Sequence, residues 1–275
     1  MSGKVYLVGA GPGDPELLTV KALRLLRDAD VVLHDDLVTP EILKLISFIA
    51  EVRNVGKRCG RKAIRQEEIN FLMVTLAASG RDVVRLKSGD PLIFGRAGEE
   101  IEALRRANIE YEIVPGVTSA LGAAAAAGIP LTHRQAASTL VLTTGSHASE
   151  NEHADWSQFP TANATLVVYM PGQNYGEMSA RLVSAGFADK TPCAIISRAT
   201  TSQQQIHRTT VSDLYNAPPL PSPTLLVVGE VVKFSVRDSV LEQAGTSEQL
   251  NDFEMFTRPA SVRAESSSQN EERPA

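Results

Sequence analysis

Residues 8–19 read Val-Gly-Ala-Gly-Pro-Gly-Asp-Pro-Glu-Leu-Leu-Thr, joining the apolar run 4–10 (KVYLVGA) to a segment with helical spacing. The run has the length and composition of a short buried strand. Over 15–28, Leu18, Ala22, Leu25 and Leu26 share one helical face. Asp14 and Pro15 suit the cap and first turn of that helix. A strand that ends in a glycine-rich turn and opens a helix is the first unit of an α/β sheet. Strand patterns at 30–34, 50–55, 82–87 and 110–114 then alternate with helical ones at 40–47, 66–79, 96–107 and 117–128. The alternation predicts a mostly parallel sheet flanked by helices.

The stretch from Gly128 to Arg134 (GIPLTHR) interrupts this pattern, and a second set follows. It has strand patterns near 138–144, 164–170, 193–197, 204–210 and 224–229, and helical ones near 174–185 and 211–216. The expected organisation is an N-terminal α/β domain over 1–130, a C-terminal α/β domain over 131–244, and a disordered tail over 245–275, where apolar periodicity fades into Ser, Glu, Gln and Asn.

The glycine turn fails as a dinucleotide fingerprint. Gly9 and Gly11 match the first two glycines of G-x-G-x-x-G, but Asp14 stands at the third, where close helix packing wants no side chain. Asp14 and Glu16 also put carboxylates where a pyrophosphate would sit. A ligand with an adenosine and a positive sulfur, and no phosphate, meets no such repulsion. A plain tight turn is the other reading.

The 275 residues carry a net charge of −5 and 43% apolar residues, enough for packed cores. Six acids against three arginines in 245–275 leave the rest of the chain near neutrality, which argues against a nucleic-acid surface. Within it, 53–65 holds Arg53, Lys57, Arg58, Arg61, Lys62 and Arg65 with no acid: a solvated face, or a site for a polyanionic small molecule. Cys59 and Cys193 offer neither a disulfide framework nor a zinc spacing, and the five histidines, His147 and His153 among them, suggest no metal site. With no signal segment and no apolar run near ~20 residues, the expected location is the cytoplasm, without membrane attachment.

Four ordered blocks carry a resemblance: 8–19 (VGAGPGDPELLT), 85–100 (RLKSGDPLIFGRAGEE), 114–120 (VPGVTSA) and 127–134 (AGIPLTHR). With 227–232 (VVGEVV), they resemble the uroporphyrinogen-III C-methyltransferases, within the tetrapyrrole methylases, over roughly 1–240. The resemblance implies two α/β domains with the cofactor in the cleft between them, and a homodimer. It implies S-adenosylmethionine as cofactor, S-adenosylhomocysteine as its product, and conversion of uroporphyrinogen III to precorrin-2 by methylation at C-2 and C-7, toward sirohaem and cobalamin. The dehydrogenase domain that some relatives carry fused is not expected in this chain.

Carried over by position, the resemblance assigns cofactor binding to Pro12, Ser88, Gly89, Asp90, Ile93, Thr118, Ser119, Met170 and Ala199. Thr118 and Ser119 could instead cap the Ala-rich helix, and Met170 could be core filling. Substrate carboxylates are assigned to Arg58, Arg96 and Arg134, with Lys57 and Arg61 behind them and Met170 alongside, since desolvated carboxylates need cationic partners. Arg96 and Glu99, three apart at a helix start, are the catalytic candidates: Glu99 orients Arg96, which contacts substrate or helps proton removal. Two departures stand out. Ser88 replaces the family's usual first glycine, as in methylases of later precorrins, and His34-Asp35-Asp36-Leu37-Val38 lacks the usual tyrosine. The alternatives are therefore a methylase of a later precorrin and a non-enzymatic tetrapyrrole-binding protein.

Overall fold

In a computed structural model, which describes residues 2–56, 64–146 and 155–235, two five-stranded sheets follow one another along the chain. The first is built from β1 (Val5–Gly9), β2 (Val31–His34), β3 (Glu51–Asn54), β4 (Val83–Lys87) and β5 (Tyr111–Val114), in the order β3-β2-β4-β1-β5. All its pairings are parallel. Helices lie on both faces, so the central strands are buried on both sides, mostly by apolar residues. Val5, Leu7, Val31, Leu33 and Val83 pack with α3 (Gln66–Ala78) and α4 (Ala97–Arg106). Val8, Val32, Val84 and Leu86 pack with α1 (Val20–Asp28) and with Ile42 of α2 (Pro40–Leu43).

The second sheet comprises β6 (Thr139–Thr144), β7 (Ala164–Tyr169), β8 (Pro192–Ser197), β9 (Gln205–Thr210) and β10 (Thr224–Val228), ordered β6-β7-β10-β8-β9. Only β6–β7 is parallel there. Alternation along its strands divides two cores. Leu166, Val168, Cys193, Ile195, Leu226 and Val228 face α6 (Tyr175–Ser184). Val167, Tyr169, Ala194, Ile196, Leu225 and Val227 face Ala120, Ala123 and Ala127 of α5 (Ser119–Ala127). The alanine-rich helix that closes the first half therefore lies on the second sheet, and both halves belong to one compact unit, Met1–Val236. Gly128, at φ 63°, supplies the left-handed residue that ends α5.

Three predicted helices are corrected. The helix expected over 15–28 is a 3-10 turn, Pro15–Leu17, followed by α1, because the segment carries two caps. Asp14 Oδ1 accepts from Glu16 N at 2.8 Å, and Thr19 Oγ1 accepts from Ala22 N at 3.1 Å, with Leu18 extended between them. The helix expected over 40–47 shortens to Pro40–Leu43 and continues as i→i+3 turns. The one near 211–216 is a 3-10 turn, Leu214–Asn216. The predicted tail, Cys59, His147 and His153 lie outside the described residues. Cys193 is fully buried, and burial pushes its thiol well above the usual range, as fits a packing residue. Among the described residues no helix is long and apolar enough to cross a membrane.

Candidate active site

Strands β1, β2, β4 and β5 run the same way, so the residues just past their carboxyl ends gather at one edge of the sheet, where open α/β sheets place their ligands. A cavity there is walled from the first half by Pro12, Asp35, Leu37, Ser88, Gly89, Asp90, Ile93, Phe94 and Gly95, with Thr118 and Ser119 at the start of α5. The opposite wall comes from the second half: Tyr169 and Met170 after β7, Ile196 and Ala199 around the end of β8, and Pro223, Thr224 and Leu225 at β10. All nine residues assigned to the cofactor line this one cavity. Among the described residues no lysine or arginine lines it, and two aspartates do.

Backbone geometry explains the small residues. An added Cβ on Gly9 would sit 2.5 Å from Gly116 N, and one on Gly116 would sit 2.3 Å from Gly89 O, so three chain segments touch through bare main chain. Asp90 holds the turn in place, accepting from Leu92 N at 2.9 Å through Oδ1 and from Gly116 N at 3.0 Å through Oδ2. Gly122 of α5 admits Pro12: a Cβ there would meet Pro12 Cγ at 2.5 Å. Phe94, Met170, Arg198 and Thr200 all take positive φ, which for non-glycine residues marks backbone held against its preference. All four stand in the segments that form the cavity or flank Ala199.

Thr118 occupies the N-cap position of α5 without capping it. Its hydroxyl pairs with Tyr169 Oη at 2.6 Å, and that oxygen accepts from Ala120 N at 3.1 Å, so Tyr169 satisfies the helix start from across the cavity. Burial raises the Tyr169 pKa, and its ring lies 4.8 Å from that of Phe94.

A second cavity shares Asp35, Leu37, Ser88, Phe94 and Gly95 with the first and adds Asp36, Val55, Gly56, Gln66, Ile69, Arg85, Lys87 and Arg96. Arg96, at φ 56°, is gripped by Glu99 through Nε–Oε1 and Nη2–Oε2 contacts of 2.7 Å each. The hydrogen bond to Glu99 raises the Arg96 pKa despite the opposing pull of desolvation. A guanidinium held by a carboxylate is a poor base, which favours the substrate-contact role expected of Arg96 over the proton-removal one. Glu99 lines neither cavity. Arg134 is exposed and lines neither of them, whereas Arg58, Lys57 and Arg61 lie outside the described residues. His133, beside Arg134, stacks on Phe234 at 4.2 Å.

Sequence reasoning missed Asp35 as a site residue, along with Tyr169, Leu37 and Ile196. The available signal was position: Asp35 directly follows β2, as Ser88 follows β4. Arg85 also binds Asp35 through Nη2 and Oδ1. Among the described residues, no group of three or more His, Cys, Asp or Glu side chains is placed to hold a metal ion.

A family model, the Tetrapyrrole (Corrin/Porphyrin) Methylases, matches residues 4–215. A siroheme synthase of Yersinia enterocolitica is 49% identical over 231 residues, covering 84% of this chain and 49% of that protein. The chain thus spans about half the length of the curated relatives it matches. The crystal structure of a uroporphyrin-III C-methyltransferase from Thermus thermophilus superposes with a TM-score of 0.73 at 44% identity, covering 86% of this chain and 99% of that one. A Thermus thermophilus uroporphyrin-III C-methyltransferase complexed with S-adenosyl homocysteine superposes with a TM-score of 0.75 at 39% identity, covering 84% and 99%.

Proposed function

As the chain belongs to the tetrapyrrole (corrin/porphyrin) methylases, we propose that it is a uroporphyrinogen-III C-methyltransferase that forms precorrin-2 with S-adenosylmethionine as methyl donor. One observation carries the reading. The cleft between the sheets meets bare main chain and carries two carboxylates, and among the described residues no lysine or arginine lines it, so it suits a phosphate-free cation. The methylated substrate would occupy the second cavity, which adjoins the first at Asp35, Leu37, Ser88, Phe94 and Gly95. The same reading takes 1–130 and 131–244 as the two lobes around the cofactor, and a homodimer as the working form.

When bound, S-adenosylmethionine supplies an electrophilic methyl group on a positively charged sulfur and leaves as the neutral thioether. The residues to hold it are Pro12, Ser88, Gly89, Asp90, Ile93, Thr118, Ser119, Met170 and Ala199. The strained turns at Phe94 and Met170 keep these groups fixed before the ligand arrives, so little is lost in ordering them. Arg96, immobilised by Glu99, offers its cation to a carboxylate of the macrocycle, with Arg58 as a second partner by sequence position. Attack by a pyrrole carbon makes a carbon–carbon bond and leaves the macrocycle with one proton to lose. Asp35, the one acid of the described residues that lines both cavities, is placed to accept it.

The test is mass spectrometry of the product from uroporphyrinogen III and S-adenosylmethionine. Two added methyl groups support the reading. A protein that leaves uroporphyrinogen III untouched but methylates a later precorrin establishes the alternative to which Ser88 points. One that binds the macrocycle without affinity for S-adenosylhomocysteine is a carrier.

A further inference from the structure

Between the first sheet and helices α3 and α4, Arg85, Lys87 and Glu100 form a set of buried charges that the chemistry above leaves unused. Alternation along β4 places Arg85 and Lys87 on the face that Val83 gives to the apolar core, and each side chain is only 3% exposed. Glu100, in the first turn of α4, is fully buried. It accepts from Arg85 Nε at 2.9 Å and from Gln66 Nε2 at 3.3 Å, and Lys87 Nζ lies 3.0 and 2.9 Å from its two oxygens. Nη2 of the same guanidinium binds Asp35, and Nη1 donates to the carbonyls of Leu33 and Leu86 at 3.3 and 3.4 Å. Asp35, Arg85, Glu100 and Lys87 thus alternate in sign, and their charges cancel.

Stability alone explains such a set poorly. Each buried ion costs several kcal/mol to desolvate, and packed apolar side chains often replace a buried ion set without loss. Met73 and Leu104 show that apolar side chains fit this face. What the set provides, and an apolar plug would not, is a fixed end on the wall common to the two cavities. Asp35 is pinned by its main chain as well, its N–H donating to Leu86 O at 3.2 Å and its carbonyl lying 3.0 Å from His34 Nδ1.

A guanidinium offers five donors in one rigid plane, so Arg85 can serve two carboxylates at once through Nε and Nη2, in fixed directions that a single ammonium nitrogen does not provide. With Nε given to Glu100, Arg85 reaches Asp35 through Nη2 and Oδ1. Without that carboxylate, Arg85 is free to turn and take both oxygens of Asp35 in a fork, occupying the oxygen that proton transfer needs.

We propose that Glu100, acting through Arg85, is a positioning residue that keeps one carboxylate oxygen of Asp35 open to the macrocycle, with Lys87 balancing the charge. The inference rests on the reading of Asp35 as acceptor of the ring proton. Its test compares Glu100→Gln and Arg85→Lys with the wild-type chain. The readouts are methyl transfer to uroporphyrinogen III, calorimetric affinity for S-adenosylhomocysteine, and thermal unfolding. In both variants kcat per folded molecule is expected to fall about tenfold or more, while KM for the macrocycle and cofactor affinity stay within about threefold. Glu100→Asp, which keeps the charge, is expected to recover part of the rate. If Glu100→Gln does not fold, Arg85→Lys decides. A kcat within about twofold of wild type in the folded variants overturns the inference, and so does a loss matched by an equal loss of cofactor affinity. A wild-type chain that binds S-adenosylhomocysteine but transfers no methyl group to uroporphyrinogen III overturns the functional reading, and this inference with it.

Discussion

Replacing Tyr169 with phenylalanine removes one oxygen from the seam between the two halves. The ring keeps its contact with Phe94 at 4.8 Å and its place in the apolar core beside α5, so packing is preserved. What is lost are the partners of the Thr118 hydroxyl, at 2.6 Å, and of the Ala120 N–H, at 3.1 Å. Ala120 is fully buried, and leaving such a donor unsatisfied costs about 1–3 kcal/mol. For a chain of this size that corresponds to a Tm roughly 2–12 °C lower. Thr118 and Ser119 line the first cavity, so loosening the start of α5 also weakens ligand binding. If half the cost must be regained on binding, affinity for S-adenosylhomocysteine falls by about two- to twelvefold, since ~1.4 kcal/mol is a factor of ten. Thermal unfolding and isothermal calorimetry of the two proteins measure both effects. A variant with unchanged Tm and unchanged affinity would refute the reasoning, because the hydroxyl would then satisfy nothing that matters.

Three further outcomes are expected. Gly122→Ala drives a Cβ toward Pro12 Cγ, and the overpacking, about 1–3 kcal/mol, should displace Pro12 and weaken S-adenosylhomocysteine up to about a hundredfold; unchanged calorimetric affinity would show that Pro12 does not shape the cavity. Arg96→Leu should lose about thirtyfold or more in turnover, as expected when one partner of a charge pair is truncated, while its affinity for S-adenosylhomocysteine stays near wild type, because Arg96 lines only the second cavity; near-normal turnover removes it from the mechanism. Burial raises the pKa of Tyr169 and Tyr175 above the ordinary value of 10.0, so the unfolded chain ionises first, and their contribution to stability is present below that pH and lost as pH rises through the folded values. Tm against pH should therefore decline on the alkaline side, less steeply in Tyr169→Phe than in the wild type.

The fold was largely legible because its strands announce themselves in continuous apolar runs and its turns in glycine. Runs such as 4–10 and 164–170 need burial on both faces, and both lie inside a sheet. The split of 15–28 was less visible, since Thr19 looks like an ordinary helical residue until its hydroxyl is seen taking the Ala22 N–H. Most residues proposed to hold the cofactor stand in the quoted motifs, and Pro12, Gly89 and Thr118 meet Met170 and Ala199, which lie outside those motifs, around one cavity although up to 187 positions separate them. The acid at the junction was not legible, because nothing in His34-Asp35-Asp36 says which carboxylate faces Arg85. The partnership of Arg85 and Lys87 with Glu100 was equally hidden. Charges in a strand pattern give no hint that a helix start will bury a counter-charge against them. Arg134 shows the converse: a motif position supplied a cation that the fold leaves on the surface.

The central claim is that the cleft between the two sheets holds a phosphate-free sulfur ligand against main chain, next to a chamber for the macrocycle. A crystal structure of the chain grown with S-adenosylhomocysteine measures this directly. The account predicts the ligand against Pro12, Gly89, Thr118, Met170 and Ala199, with its sulfur toward Ser88 and Asp35. Density elsewhere on the protein, with this cleft empty, would contradict it.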